Sequence, residues 1–171
     1  MQTLSEMIKC EIVKLEQFSG SLASVYSVVL DGEHQTLLNK FIAENIISHK
    51  SETKNILKRL MTIGHNTGAR IDFFKEWEGK PGDGVCALYD EPDSKLRLYC
   101  IHYGKQIIIV GSGGEKPKNI RALQENDKLK DENYLLREIS NQITNRIKEK
   151  DIKYSTDGLN FIGDLVFDDE E

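Results

Sequence analysis

Proline and glycine are scarce, at 3 and 13 of 171 residues, which argues against a collagenous, low-complexity or wholly disordered chain. Three cysteines, Cys10, Cys86 and Cys100, form no C-x-x-C pair, and their odd number fits a reduced cytoplasm with buried free thiols better than a disulfide framework. No apolar run approaches the length of a bilayer span, and Glu6 interrupts what would be a leader core, so an intracellular protein without a membrane partner is expected. The histidines His34, His49, His65 and His102 stand far apart with no H-x-x-x-H spacing, so neither a metal site nor a cofactor is expected. Internal repeats are also lacking.

The length suits a single domain, and 39% hydrophobic with 30% charged residues suits a folded one. Residues 8–16 and 22–30 alternate or concentrate β-formers and read as two strands joined through QFSGS, an antiparallel pair. Leu37, Leu38, Phe41, Ile42 and Ile46 then recur at helical spacing behind Thr36 as a cap. Ser51 and Glu52 open a second helix whose stripe runs through Ile56, Leu57, Leu60, Met61 and Ile63 to Gly64, making a helix hairpin. The stretch 70–84 stays partly unassigned. VCALYD, KLRLYCIHY and QIIIVGSGG spell three consecutive antiparallel strands. Leu135, Ile139, Ile143 and Ile147 predict a last helix over 131–150 with Asp131 as its cap. The fold class is α+β: a twisted antiparallel sheet with a helix hairpin and a C-terminal helix over 1–163, followed by an acidic tail, 164–171, DLVFDDEE.

The formal charge is −5, yet Lys95, Arg97, Lys105, Lys116, Lys118 and Arg121 face only Glu115 between residues 95 and 121. Cations gathered at one sheet edge could track phosphates, whereas cations scattered on a solvated surface would not. GSGGEKPK lacks the Gly-Lys-Ser/Thr order of a phosphate-binding loop, because Lys116 follows Glu115 and precedes Pro117, so a sheet-terminating turn is the reading adopted. His102 is expected as a solvent-exposed turn histidine able to move a proton near neutrality, and Tyr99 shares the strand face of Arg97.

The order strand, helix hairpin, meander, together with ALYDEPDSKLRLYCIHYGKQIIIVGSGGEKPK, resembles the RelE/ParE toxin superfamily, in particular its HigB-like, phage-derived branch, over roughly residues 36–147. LYDEP, LRLYCIHY, IIIVGSGG and EKPK occupy the family's strand and loop slots. The resemblance implies a RelE-like toxin of a type II toxin–antitoxin pair, with a helix-turn-helix antitoxin as partner and mRNA on the ribosome as substrate. Cleavage there is metal-independent: a ribose 2′-hydroxyl attacks the adjacent phosphate, and Lys and Arg side chains stabilise the dianion. Carried over, Arg97 matches the strand arginine, Lys116 and Lys118 match the loop lysines, and His102 and Tyr99 are the candidates for proton transfer. The slot that holds a strand arginine in L-Y-E-L-R carries Leu88, Tyr89, Asp90, Glu91 and Pro92 instead. A non-catalytic toxin-fold module that binds a protein, as ParE-like members do, is therefore the alternative.

Overall fold

β-Branched and aromatic residues dominate Cys10–Lys14 and Ser24–Leu30, and these segments pair antiparallel as β1 and β2, with Ile12 opposite Val28. The computed structural model describes residues 7–75, 84–88, 91–103, 106–117 and 127–168. Thr36 caps α1 (Leu37–Asn45), its hydroxyl accepting the Asn39 N–H at 3.1 Å. The second helix, α2 (Lys50–Thr62), begins at His49 without a side-chain cap. Glu52 does not cap it; its carboxylate accepts the backbone N–H groups of Lys95 and Leu96 at 2.7–3.1 Å.

Nor does the helical path end at Gly64. It widens into a π turn, Ile63–Thr67, because the Gly64 carbonyl is diverted to the N–H groups of Leu22 and Ala23, and it stops at Gly68, where φ is 76°. The partly unassigned stretch contains a 3-10 turn (Ile71–Phe73) and β3 (Phe74–Lys75). The expected meander is present as β4 (Val85–Leu88), β5 (Leu96–Tyr103) and β6 (Ile107–Glu115). The last helix, α3, spans Asp127–Lys148, so it starts a turn before the expected Asp131 cap.

The main sheet has the order β3-β4-β5-β6-β2-β1-β9, where β9 is Val166–Phe167. It is not purely antiparallel: Ser24–Ser27 of β2 run parallel to Ile107–Val110 of β6. The chain leaves β2 through two helices rather than a tight turn, and such a crossover is what parallel neighbours require. The fold is thus α+β on a mixed sheet. Residues 152–154 and 161–163 form a separate hairpin, β7 (Ile152–Tyr154) and β8 (Phe161–Gly163).

Central strands are apolar on both faces, so each face has its own core. On one side Leu38, Phe41, Ile56 and Leu60 of α1 and α2 cover Val25, Leu98, Cys100, Ile108 and Val110. On the other, Leu129, Leu136, Ile139 and Ile143 of α3 cover Tyr26, Tyr99, Ile101, Ile107 and Ile109.

The acidic end is built into the fold as far as Asp168. Cys10 and Glu11 pair with Phe167 and Val166, the Ile12 N–H donates to the Leu165 carbonyl at 2.9 Å, and Phe167 is buried. Arg146 of α3 holds this strand: one guanidinium nitrogen donates to the Asp164 and Val166 carbonyls at 2.9 and 2.6 Å, and the group lies 3.8 Å above the Phe167 ring. The outward-facing Val166 N–H is taken by the Asp164 carboxylate at 3.2 Å. Beside it the Gln142 amide clamps both backbone groups of Ile8, at 2.6 and 3.0 Å.

Two acidic groups in the α3-side core give a pH dependence. Burial pushes the Cys10 thiol from 9.0 up to about 12 against the opposing pull of Arg146, and burial pushes the Tyr103 phenol from 10.0 up to about 12 against the opposing influence of the Ser140 and Thr144 side chains. The folded chain keeps protons that the unfolded chain releases. Stability is therefore level with respect to these groups below pH 9 and falls between 9 and 12, by at most about 1.4 kcal/mol per pH unit per group. Urea midpoints measured across that window should drop, and Cys10→Ala should make the drop shallower without moving its onset, because burial raises the Cys100 thiol from the same ordinary value.

Candidate functional site

Lys95, Arg97 and Lys116 of the basic segment lie at the ends of β5 and β6. Arg97 stands opposite Gly114, and the ladder extends one step further where the Lys116 N–H donates to the Lys95 carbonyl at 2.8 Å. Antiparallel partners share a face, and a Cβ on Gly114 would meet Lys128 and Leu129 of α3. Arg97 therefore faces the α3 side of the sheet end, while the Lys116 ammonium turns to the Glu91 carbonyl at 2.6 Å. The structure brings Arg97 and Lys116 together as diagonal neighbours, about 7–8 Å apart at the backbone. Lys118 lies outside the described residues, as do Lys105 and Arg121.

The two proton-transfer candidates do not join them. Tyr99 does share the Arg97 face, but further along β5, and at 4% exposure it sits within the core under α3. His102 has the opposite parity and faces the α1–α2 side. Its ring stacks on Phe74 at 4.3 Å between centroids, and its Nε2 lies 3.0 Å from the Ala69 carbonyl oxygen. A carbonyl only accepts, so Nε2 carries the proton and donates it there. His102 is thus a partly buried strand residue rather than an exposed turn histidine, and it is separated from Arg97 by the thickness of the sheet.

The GSGG run is also not a terminating turn. It lies inside β6, where the register shifts between Leu98 and Cys100 and β6 carries one extra residue. A Cβ on Gly111 would press on the Leu136 side chain, and one on Gly113 would land on the Arg97 carbonyl oxygen. These glycines allow helix-to-strand and strand-to-strand approach and do not present amides to an anion.

Glu91, from the acidic slot of the motif, organises the same end of the sheet. Its carbonyl oxygen accepts the Lys116 ammonium at 2.6 Å together with the Ser94 N–H and hydroxyl at 3.1 and 2.9 Å. Its carboxylate lies 3.6 Å from the Arg59 guanidinium, which also donates to the Asn55 amide oxygen at 2.9 Å. Between α2 and this turn is a groove of about 220 Å³ with Glu52, Asn55, Arg59, Glu91, Asp93 and Ser94 among its lining. Three carboxylates against one guanidinium make it unsuited to a phosphate. On the helix side of the β6 end the His49 ring nitrogen lies 2.9 Å from the Glu115 carboxylate.

No family model, curated protein or solved structure matches the chain. Assignment therefore rests on the geometry. In-line attack by a 2′-hydroxyl needs a group placed to take its proton and cations placed around the phosphate, all on one accessible surface. Arg97 and Lys116 occupy neighbouring strand ends, with the Lys116 ammonium bound to the Glu91 carbonyl, while Tyr99 and His102 lie on opposite faces of the sheet. Among the described residues no group of three or more His, Cys, Asp or Glu is arranged to hold a metal ion, and no helix is long and apolar enough to cross a membrane.

Glu52, Arg59 and Glu91 were not among the sequence candidates. Glu52 meets Lys95 across 43 residues and Lys116 meets Glu91 across 25, and no local spacing announces either contact.

Proposed function

We propose that this chain is a non-catalytic, RelE-like interaction module that binds a protein partner with the cationic end of β5 and β6. The observation that carries this reading is the position of Glu91. The slot of the family's strand arginine here includes Glu91, whose carboxylate lies 3.6 Å from the Arg59 guanidinium while its main-chain carbonyl accepts the Lys116 ammonium, so the turn pairs a cation instead of adding one. Arg97, with Lys95 and Lys116 at neighbouring backbone positions, then gives this strand end a basic character suited to an acidic partner surface. The burial of Tyr99 and the bond of His102 to Ala69 support a reading in which neither serves as the acid or base beside Arg97.

The second reading, a toxin that cleaves mRNA on the ribosome and is neutralised by a helix-turn-helix antitoxin, is favoured by one observation. The register sets Arg97 and Lys116 at neighbouring positions of adjacent strands, close enough for two cations to reach one phosphate. Primer-extension mapping of transcripts after induction separates the two. The binding reading expects no cuts phased with codons, growth indistinguishable between wild type and Arg97→Ala, and a stoichiometric complex with the product of the adjacent reading frame that Arg97→Glu weakens. Codon-phased cuts that vanish in a folded Arg97→Ala protein would overturn it in favour of the nuclease.

A further inference from the structure

Cys86 and Cys100 stand directly opposite each other in the β4–β5 ladder, with their sulfur atoms 3.6 Å apart. Cys86 also directs its thiol at the Cys100 carbonyl, at 3.5 Å. Both lie in the α1–α2-side core, at 3% and 0% exposure, whereas Cys10 belongs to the core on the other side of the sheet. Paired strand positions have Cα atoms about 5.5 Å apart when they exchange hydrogen bonds, inside the range of about 4.4–6.8 Å that a disulfide spans. Side-chain rotation alone can therefore close the sulfur gap.

We propose that Cys86 and Cys100 are a reversible dithiol–disulfide couple that, when oxidised by a low-molecular-weight disulfide, locks β4 onto β5. The inference is independent of what the β5–β6 end binds.

The placement of β4 makes the couple reachable although both thiols are buried. β4 is four residues long, and the strand outside it, β3, has two, while Cys100 is pinned between β4 and the nine-residue β6. Short, peripheral strands open locally at lower cost than central ones. Opening of β4 thus exposes Cys86 first and leaves Cys100 seated. Burial and the neighbouring Cys86 hold the Cys100 thiol well above its ordinary range, which keeps it protonated until the second step.

In the first step the Cys86 thiolate attacks one sulfur of the small disulfide, breaking its S–S bond and releasing one thiolate. In the second, Cys100 loses its proton and attacks the Cys86 sulfur of the mixed disulfide, forming the Cys86–Cys100 bond and expelling the second small thiolate. The two protein thiols give up two electrons and two protons, and the small disulfide becomes two thiols. The closed loop contains Glu91, so oxidation also ties down the turn that holds Lys116 and Arg59.

The test uses the full chain incubated with oxidised glutathione at about pH 8, quenched in acid, alkylated in denaturant and digested. The expected product is a single intramolecular cross-link between the Cys86 and Cys100 peptides, with a mass loss of about 2 Da, in wild type and in Cys10→Ser alike. The oxidised protein should show a Tm several degrees higher and slower amide exchange over Val85–Leu88, both reversed by a dithiol reductant. Recovery of Cys86 and Cys100 as alkylated thiols would overturn the proposal, and so would a glutathione adduct left on Cys86 without the cross-link. Because these readouts come from wild type, they do not depend on whether a substitution at the fully buried Cys100 folds.

Discussion

Gly113→Ala should cost about 3 kcal/mol or more of unfolding free energy, the upper end of what overpacking a core exacts. The added methyl group would land on the backbone oxygen of Arg97, in a buried stretch of β6 flanked by β5 on one side. Neither atom can rotate away, because both belong to the main chain of paired strands. A cost of that size is a large share of the roughly 5–15 kcal/mol that stabilises a domain. Gly32→Ala provides the contrast. Gly32 has φ 81° but nothing lies within 4 Å of its missing Cβ, so only the backbone preference of about 1 kcal/mol is lost. Urea unfolding of the two variants checks the prediction, and equal midpoints would contradict it.

Arg146→Ala should be the most damaging change at a polar residue, at about 3 kcal/mol. Its guanidinium serves two main-chain carbonyls, lies 3.3 Å from the Asp164 carboxylate and stacks on Phe167, yet the residue is only 8% exposed. Hydrogen bonds to a charged group contribute about 1.5–3 kcal/mol each, and a desolvated cation–π contact up to about 2, less the overlap between them. The loss is local before it is global, because β9 touches the sheet only through β1. Limited proteolysis should therefore cut near 164–168 before the rest of the chain unfolds. Arg146→Lys retains the charge without the planar fork and should recover only part of the loss. Unchanged proteolysis in Arg146→Ala would mean that β1 alone holds the strand.

What could be read from the sequence was what depends on near neighbours. β1 and β2, the two helices behind Thr36, the meander and the stripe of α3 all follow from spacing within a single element, and each is present within a few residues of its expected limits. What could not be read depends on residues far apart. Nothing local announces that β2 and β6 run side by side, that Gly64 feeds Leu22 and so widens a helical turn, or that Val166–Phe167, embedded among acids, completes a sheet. In the candidate site, alternation correctly set Tyr99 on the Arg97 face, and the same parity already sends His102 to the other side. That Tyr99 is roofed by α3 depends on where a helix beginning at Asp127 lies, which strand periodicity does not contain.

The parallel seam has a consequence for synthesis. The Ser27 hydroxyl donates to the Val110 carbonyl across 83 positions, so the two halves of the sheet meet only after most of the chain exists. A nascent chain that ends before Ile107 has β1 and β2 with α1 and α2 against them but lacks the strand that joins them to β5. The sheet is therefore completed late in synthesis, and fragments that stop short of β6 should be less stable and more prone to aggregate than the full chain.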